Sequence, residues 1–496
     1  MNFKRMDKMD LIWLVTASLV MAGMNWLASG FPFDQDSGFR AVLAENLIKG
    51  GHLYTDFFDH HPPGGVVLYA FIFKLFGISV SSLRWGSLCL DLLTLIFLFF
   101  IARQFLVKKI VYLSVLLYSL FGSGLVIQLQ VLQDEHGITL FTTLAIFLAI
   151  LYMKRTNSFL LFLSGVSLGI AMLFKQTAGA VVPCILIWFL YFSKGKRSFG
   201  RLFGDSILFL IGSSLPFMAT IGYFFLVNRF DDFFSSVILY NLHYVATAKL
   251  HTVLRVKSVI PEQAFIFIIS SASAIYLLLN QRQQESILMI LWGVFSLLAV
   301  VMSGKFGDCY FIQMIPPLAV ISGIGLFAFW DQLSEQAEWH RDIRNLLFLM
   351  IIIGAGLIFV IKEYRFRNYI LSGVTSDAVA VKAGEYLTTR IVSGDSLYIW
   401  GSRPQIYFLC RAKPATRYLY NFRYTEKVEE GYFYSPEILK EIMGEVKRKQ
   451  PEYIIVTELK SLKYFKELAK HLEVNYHLET EFEGYPYTIS LFRINT

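Results

Sequence analysis

The feature that most restricts this chain is a succession of apolar runs spaced by short basic loops. They lie near residues 11–29, 83–106, 108–127, 136–153, 158–174, 177–193, 204–227, 258–279, 285–303, 309–330 and 345–362. Runs of this length suit a hydrocarbon core about 30 Å thick. In lipid every backbone amide needs a partner within its own segment, so each run reads as a helix. A water-soluble chain of 496 residues would not combine 55% hydrophobic with only 17% charged residues. The expected fold class is therefore an α-helical polytopic membrane protein with about 11 transmembrane helices plus interfacial helices. The net charge of +8 does not indicate nucleic acid, because much of the Lys and Arg sits in short loops between spans. Cys89, Cys184, Cys309 and Cys410 are scattered without metal spacing and read as free thiols. The N-terminal MNFKRMDKMD and the run after it read as an uncleaved signal anchor.

Charge sets the orientation. Lys4, Arg5 and Lys8 precede the first span and place the N-terminus in the cytoplasm. The run Gly64–Gly77 is short for a crossing and suits an interfacial or re-entrant helix. With that choice Arg103, Lys108, Lys109, Lys154, Arg155, Lys194, Lys196, Arg197, Arg201, Arg282, Arg341 and Arg344 all become cytoplasmic. Asp36, His60, His61, Asp134, Glu135, Lys175, Lys305 and Asp308 then share the outer side. Residues 1–364 form the expected membrane domain, with an external loop at 30–63. Residues 365–496 are more charged and alternate strand-like runs (SLYIW, YIIVT, YTISLFRI) with helical runs at Pro436–Lys449 and Leu462–His471. They read as a small soluble extracytoplasmic α/β domain.

The external loop is dense in ionisable groups. Asp34 and Asp36 precede a helix expected near Gly38, where Asp acts as a cap and also stands at headgroup depth. His60 and His61 precede Pro62-Pro63, which start a helix; they read as surface histidines, phosphate donors or metal ligands, with phosphate preferred. Asp134 and Glu135 open the span at 136, as capping residues often do. Lys175, in LFKQTAG, sits in an apolar context where a cation must be paired or wetted. Lys305 in SGKFGDCYF is similar.

These motifs resemble the bacterial membrane glycosyltransferases of the GT-C class, of the glycosyltransferase 39 or PMT_2 type. Relatives of that type include protein O-mannosyltransferases and lipid A aminoarabinose transferases. Asp36-Ser37-Gly38-Phe39 followed by GGHLYTDFFDHHPPG is similar to the family's first external loop. Lys175-Gln176-Thr177 resembles its KQT motif, and KFGDCYFIQMIPP, which holds Lys305 and Tyr310, a later aromatic motif. His61 stands where the family commonly has Lys, and Cys309 where it commonly has His. The resemblance implies a catalytic Asp at Asp36, with Asp34 next, and an acidic residue of the second external loop at Glu135.

The expected function is transfer of a sugar from a polyprenyl-phosphate-linked donor to an acceptor hydroxyl on the outer face of the bacterial inner membrane. The acceptor would be a glycan, a lipid or a protein. Asp36, Asp34 and Glu135 are the catalytic candidates; His60, His61, Lys175, Lys305 and Tyr310 are the substrate or phosphate candidates. The metal ligands are unknown, and a divalent metal is a possible cofactor. A lipid or glycolipid transporter is the rival reading, but no internal repeat is visible. A non-catalytic scaffold is the third.

Overall fold

The computed structural model describes residues 6–127, 131–242, 259–280, 284–302, 307–336, 341–372, 375–392, 394–419, 436–457, 459–484 and 488–495. Lys305 lies outside the described residues. The apolar runs fold as helices: α1 (Lys8–Leu27), α2 (Gln35–Ile48), α3 (Gly64–Phe76), α4 (Val80–Arg103), α5 (Lys108–Phe121), α6 (Asp134–Arg155), α7 (Ser158–Met172), α8 (Val181–Ser193), α9 (Phe199–Leu226), α10 (Phe230–Phe234), α11 (Val259–Asn280), α12 (Gln284–Met302), α13 (Ile315–Gln336) and α14 (Arg341–Leu371). Eight helical stretches among the described residues are long and apolar enough to cross a membrane. The chain is a multi-pass membrane protein. α3 is the short apolar helix expected at Gly64–Gly77, and α2 lies within the 30–63 stretch that precedes it.

Two spans end differently from the sequence expectation. The run at 108–127 stops being helical at Phe121. Beyond it, side chains from distant elements hold the backbone. The Leu125 amide donates to Glu363 at 2.7 Å, the Val126 amide to Glu262 at 2.8 Å, and the Val131 amide to Asp34 at 3.0 Å. Apolar residues 125–127 therefore read as helix but fold as a loop, because carboxylates replace the carbonyls a helix would have supplied. At the other end α14 continues past the expected boundary at 364, to Leu371.

After α14 come α15 (Ser376–Thr388), β1 (Ser396–Trp400), α16 (Gln405–Cys410), β2 (Lys413–Pro414), α17 (Pro436–Lys449), β3 (Tyr453–Val456), α18 (Lys466–Asn475), β4 (Tyr476–Phe482) and β5 (Ile489–Ile494). The sheet order is β2-β1-β3-β5-β4. β1 pairs in parallel with β2 and β3, and β5 pairs antiparallel with β3 and β4. β1 and β3 are apolar on both faces because helices cover both. The helical run expected from Leu462 begins at Lys466, preceded by a tight turn over Leu459–Tyr464.

The sheet shares a core with the membrane helices. One buried cluster joins Phe33, Phe39, Val66, Tyr69 and Phe73 to Val379, Leu397, Ile406, Tyr407 and Phe408. The Phe73 and Phe408 rings stack at 5.7 Å. The C-terminal lobe is thus packed directly onto α2 and α3.

Candidate active site

The site is built where α2, the loop before α3, the start of α6 and the turn after α7 converge. Asp34 caps α2: its carboxylate accepts the Ser37 amide at 2.9 Å with one oxygen and the Val131 amide with the other. Both oxygens are committed to backbone, and the residue is buried. Asp34 therefore fixes the turn. Asp36, one residue inside α2, is only partly buried.

Arg40 follows Asp36 by one helical turn. Its guanidinium pairs with Asp134 through both Nε and Nη2, and Nη1 donates to the Asp36 carbonyl at 3.3 Å. Side-chain exposure is 7% and 2% for Arg40 and Asp134, so this bidentate pair is dry. It requires a glycine opposite: a Cβ on Gly65 would stand 2.2 Å from Asp134 Oδ1.

The next residue along α6 makes the second ion pair. Lys175 Nζ donates to Glu135 at 2.7 Å and lies 3.4 Å from the centre of the Tyr310 ring. Burial opposes the Lys175 charge, but the Glu135 carboxylate outweighs it and holds the ammonium above its ordinary range. Tyr310 follows Cys309, which is within electrostatic reach of Glu135, Lys175 and Asp36. The KQT and DCYF segments, far apart in sequence, thus meet at one place.

His61 feels the charges of both pairs, Arg40 and Asp134 as well as Lys175 and Glu135. Its Nδ1 lies 2.7 Å from Asp59 Oδ1, and its amide donates to the same oxygen at 3.0 Å. Burial pushes the Asp59 carboxyl up and the His61 pKa down to about 3, with Arg40 adding to the latter. His60 lies over His61, ring centres 4.0 Å apart, and Asn241 donates to its carbonyl at 2.6 Å. Asp59, His60 and His61 offer ligand atoms within 4.8 Å of one another. One carboxylate and two imidazoles suit zinc.

Of the sequence candidates, the structure gathers Asp36, Glu135, Lys175, Tyr310, His60 and His61, and gives Asp34 to the backbone. The sequence reading counted Asp59 among the ionisable residues of the loop without giving it a role, and passed over Arg40 and the C-terminal Asp377. Arg40 was signalled by its i+4 spacing from Asp36. Asp377, from α15, reaches the same area: burial pushes its carboxyl up to about 6 although Arg403 pulls the other way, and Asp34 and Asp36 add to the rise. A carboxyl raised in the folded state opposes folding once ionised and is harmless when protonated. Asp377→Asn, which still accepts the 2.9 Å bond from Gln405 Nε2, is therefore expected to stabilise the protein by on the order of 2 kcal/mol above pH 6. The gain should fade as pH falls from 6 toward 4. Melting curves in detergent across that window would show it; a gain unchanged at pH 4 would be incompatible with this origin.

Known proteins share this fold. Residues 60–223 match the PMT_2 family, described as dolichyl-phosphate-mannose-protein mannosyltransferase. The fold superposes on ArnT from Cupriavidus metallidurans bound to undecaprenyl phosphate, at a TM-score of 0.64 and 12% identity over 97% of each chain. It also superposes on the oligosaccharyltransferase AglB from Archaeoglobus fulgidus in complex with an inhibitory peptide and a dolichol-phosphate. There the TM-score is 0.62 at 12% identity, over 94% of this chain and 71% of that one. The chain has the GT-C fold. An uncharacterized protein of Aquifex aeolicus is 21% identical over 73% of this chain and 71% of its own length. AglB has also been solved in complex with Zn and sulfate, at a TM-score of 0.58 over 93% of this chain and 69% of that one. The PMT_2 match begins at His60 and takes in Asp134, Glu135 and Lys175, so three of the residues at the two ion pairs fall within it.

Proposed function

We propose that the chain transfers a sugar from a polyprenyl-phosphate donor to an acceptor hydroxyl at the outer face of a bacterial inner membrane. The observation that carries this reading is the Lys175–Glu135 pair against Tyr310, a cation only 16% exposed and held by a carboxylate only 2% exposed. The acceptor O–H approaches the sugar's anomeric carbon from the side opposite the phosphate. A carbon–oxygen bond to the acceptor forms as the bond from the anomeric carbon to the phosphate oxygen breaks, with inversion. The acceptor proton passes to Asp36. The phosphate leaves with the bonding electrons as the lipid monoester and needs positive charge rather than an acid, which Lys175 supplies. Glu135 keeps Lys175 in place and ionised.

His61 borders the same space, its Nδ1 tied to Asp59. A divalent cation held by Asp59, His60 and His61 would add positive charge there; the steps above use none. The chain through the end of α14 at Leu371 holds the chemistry, and the residues after it form the outer lobe, on the orientation that the charged loops suggest.

The test is transfer from radiolabelled polyprenyl-phosphate sugars to membrane lipids, glycans and proteins by the purified, reconstituted chain. Label moving into one acceptor class supports the reading and names the class. A folded protein that binds polyprenyl phosphate and transfers nothing from a panel of donors would move the reading to lipid transport.

A further inference from the structure

The C-terminal lobe touches α2 backbone to backbone. A Cβ on Gly38 would stand 2.3 Å from Gln405 Cβ and 2.4 Å from its Cα. Glycine at 38 is thus needed for close approach, since no side chain fits between α2 and α16. Polar contacts fasten the same junction. Arg403 Nη1 donates to Gln35 Oε1 at 2.7 Å and to the Ser402 carbonyl at 2.6 Å. Gln405 Nε2 donates to Asp377, while its Oε1, fully buried, has no hydrogen-bond partner among the described residues. Further along, Arg411 pairs with Glu45 at 2.7 Å, and Arg417 donates to the Tyr54 carbonyl at 2.8 Å.

Gln35 lies between Asp34 and Asp36. The first turn of α2 is therefore anchored on both sides of the residue proposed to be the base. On the membrane side, the Asp34 carboxylate holds the Ser37 and Val131 amides. On the lobe side, Gln35 holds Arg403, whose side chain is itself buried. Arg403 also brings a positive charge to a junction that gathers Asp34, Asp36 and Asp377.

We propose that Arg403 is a positioning residue: through Gln35 it fixes the angle of the first turn of α2, and with it where Asp36 meets the acceptor. The lobe, 366 residues and more from α2 in places such as the Arg411–Glu45 bond, is then a working part of the site. This rests on the reading of Asp36 as the base. A carboxylate held from one side drifts, and a misplacement of about 1 Å can cost up to 10²-fold in rate.

In the transfer assay on the full chain, Arg403→Gln is expected to lower kcat about 10-fold or more, with the donor KM within about twofold. Arg403→Lys, which keeps the charge and one donor, should recover part of the loss. Unchanged kcat in Arg403→Gln would overturn the proposal. So would equal losses in both variants that track a fall in melting temperature, since those would make Arg403 a fastener of the lobe only. If Arg403→Gln fails to fold, Gln35→Ala removes the same contact from the other side and should show the same kcat loss; wild-type kcat there refutes the proposal.

A second readout needs no transfer. Cys89 is the exposed cysteine and is first replaced by Ser; Asp36→Cys then places a thiol at the first turn. Its alkylation rate by a maleimide should change at least threefold on adding Arg403→Gln, because the turn moves. An unchanged rate defeats the proposal whether or not the chain proves to be a glycosyltransferase. A changed rate supports it even if no donor is found.

Discussion

Asp36→Asn is expected to keep the fold and the affinity for polyprenyl phosphate and to lose transfer by about 10²–10⁴-fold, the range a positioned general base supplies. The fold should survive because Asp36 is only partly buried and the cap of α2 is made by Asp34 instead. Donor affinity should survive because the cation proposed for the phosphate is Lys175, held by Glu135. Asn keeps the shape and polarity of the side chain but does not take up a proton at neutral pH. The measurement is kcat with a radiolabelled donor, alongside binding of the lipid phosphate. Equal rates for Asp36→Asn and wild type would remove Asp36 as the base and shift the role to Glu135. Asp34→Asn is expected to behave differently. It weakens the bonds to the Ser37 and Val131 amides, so it should lower stability along with rate.

Asp134→Asn is expected to cost about 3–5 kcal/mol of stability, because it leaves the buried Arg40 guanidinium without its ion-pair partner. The pair is nearly free of solvent and spans 94 residues of sequence, joining α2 to α6. A dry cation cannot be rehydrated without parting the helices, and Gly65 packs against the carboxylate from the third side. The same change should slow transfer, since Arg40 also holds the Asp36 carbonyl. Thermal unfolding in detergent tests this. Arg40→Met combined with Asp134→Leu should recover much of the lost stability, because removing both charges also removes the desolvation cost. A single variant as stable as wild type would mean that water reaches the pair.

Much of this was legible in the sequence. The apolar runs had helical length, and membrane insertion permits little else, so α4, α6, α9 and α12 fall where hydropathy puts them. SLYIW, YIIV and ISLFRI form the central strands because their side chains are apolar on both faces of the sheet or alternate toward a core. The edge strand β4, YHLETEF, escaped notice, since an edge strand half-open to water carries a mixed polar pattern. Residues 122–127 were misread for the opposite reason. They are apolar enough for a span, yet Glu262 and Glu363 take their amides.

The candidate site divides along the same line. Order and charge marked Asp36, His61, Glu135 and Lys175, because an ionisable group beside an apolar run is costly without a purpose or a partner, while Tyr310 entered through the resemblance of KFGDCYFIQMIPP. The partners came only with the fold. Nothing local says that Arg40 answers Asp134 while Glu135, one residue on, answers Lys175. Nor does anything local say that Asp34 spends both oxygens on amides while Asp36, two residues on, stays partly exposed. The sequence by itself determined which segments enter the membrane and which polar residues stay beside it, because transfer into lipid depends on each segment's own composition. Only the tertiary structure decided which charges pair and that the C-terminal lobe seats on Gly38. Those outcomes depend on distances between segments up to hundreds of residues apart, and short-range periodicity carries no information about them.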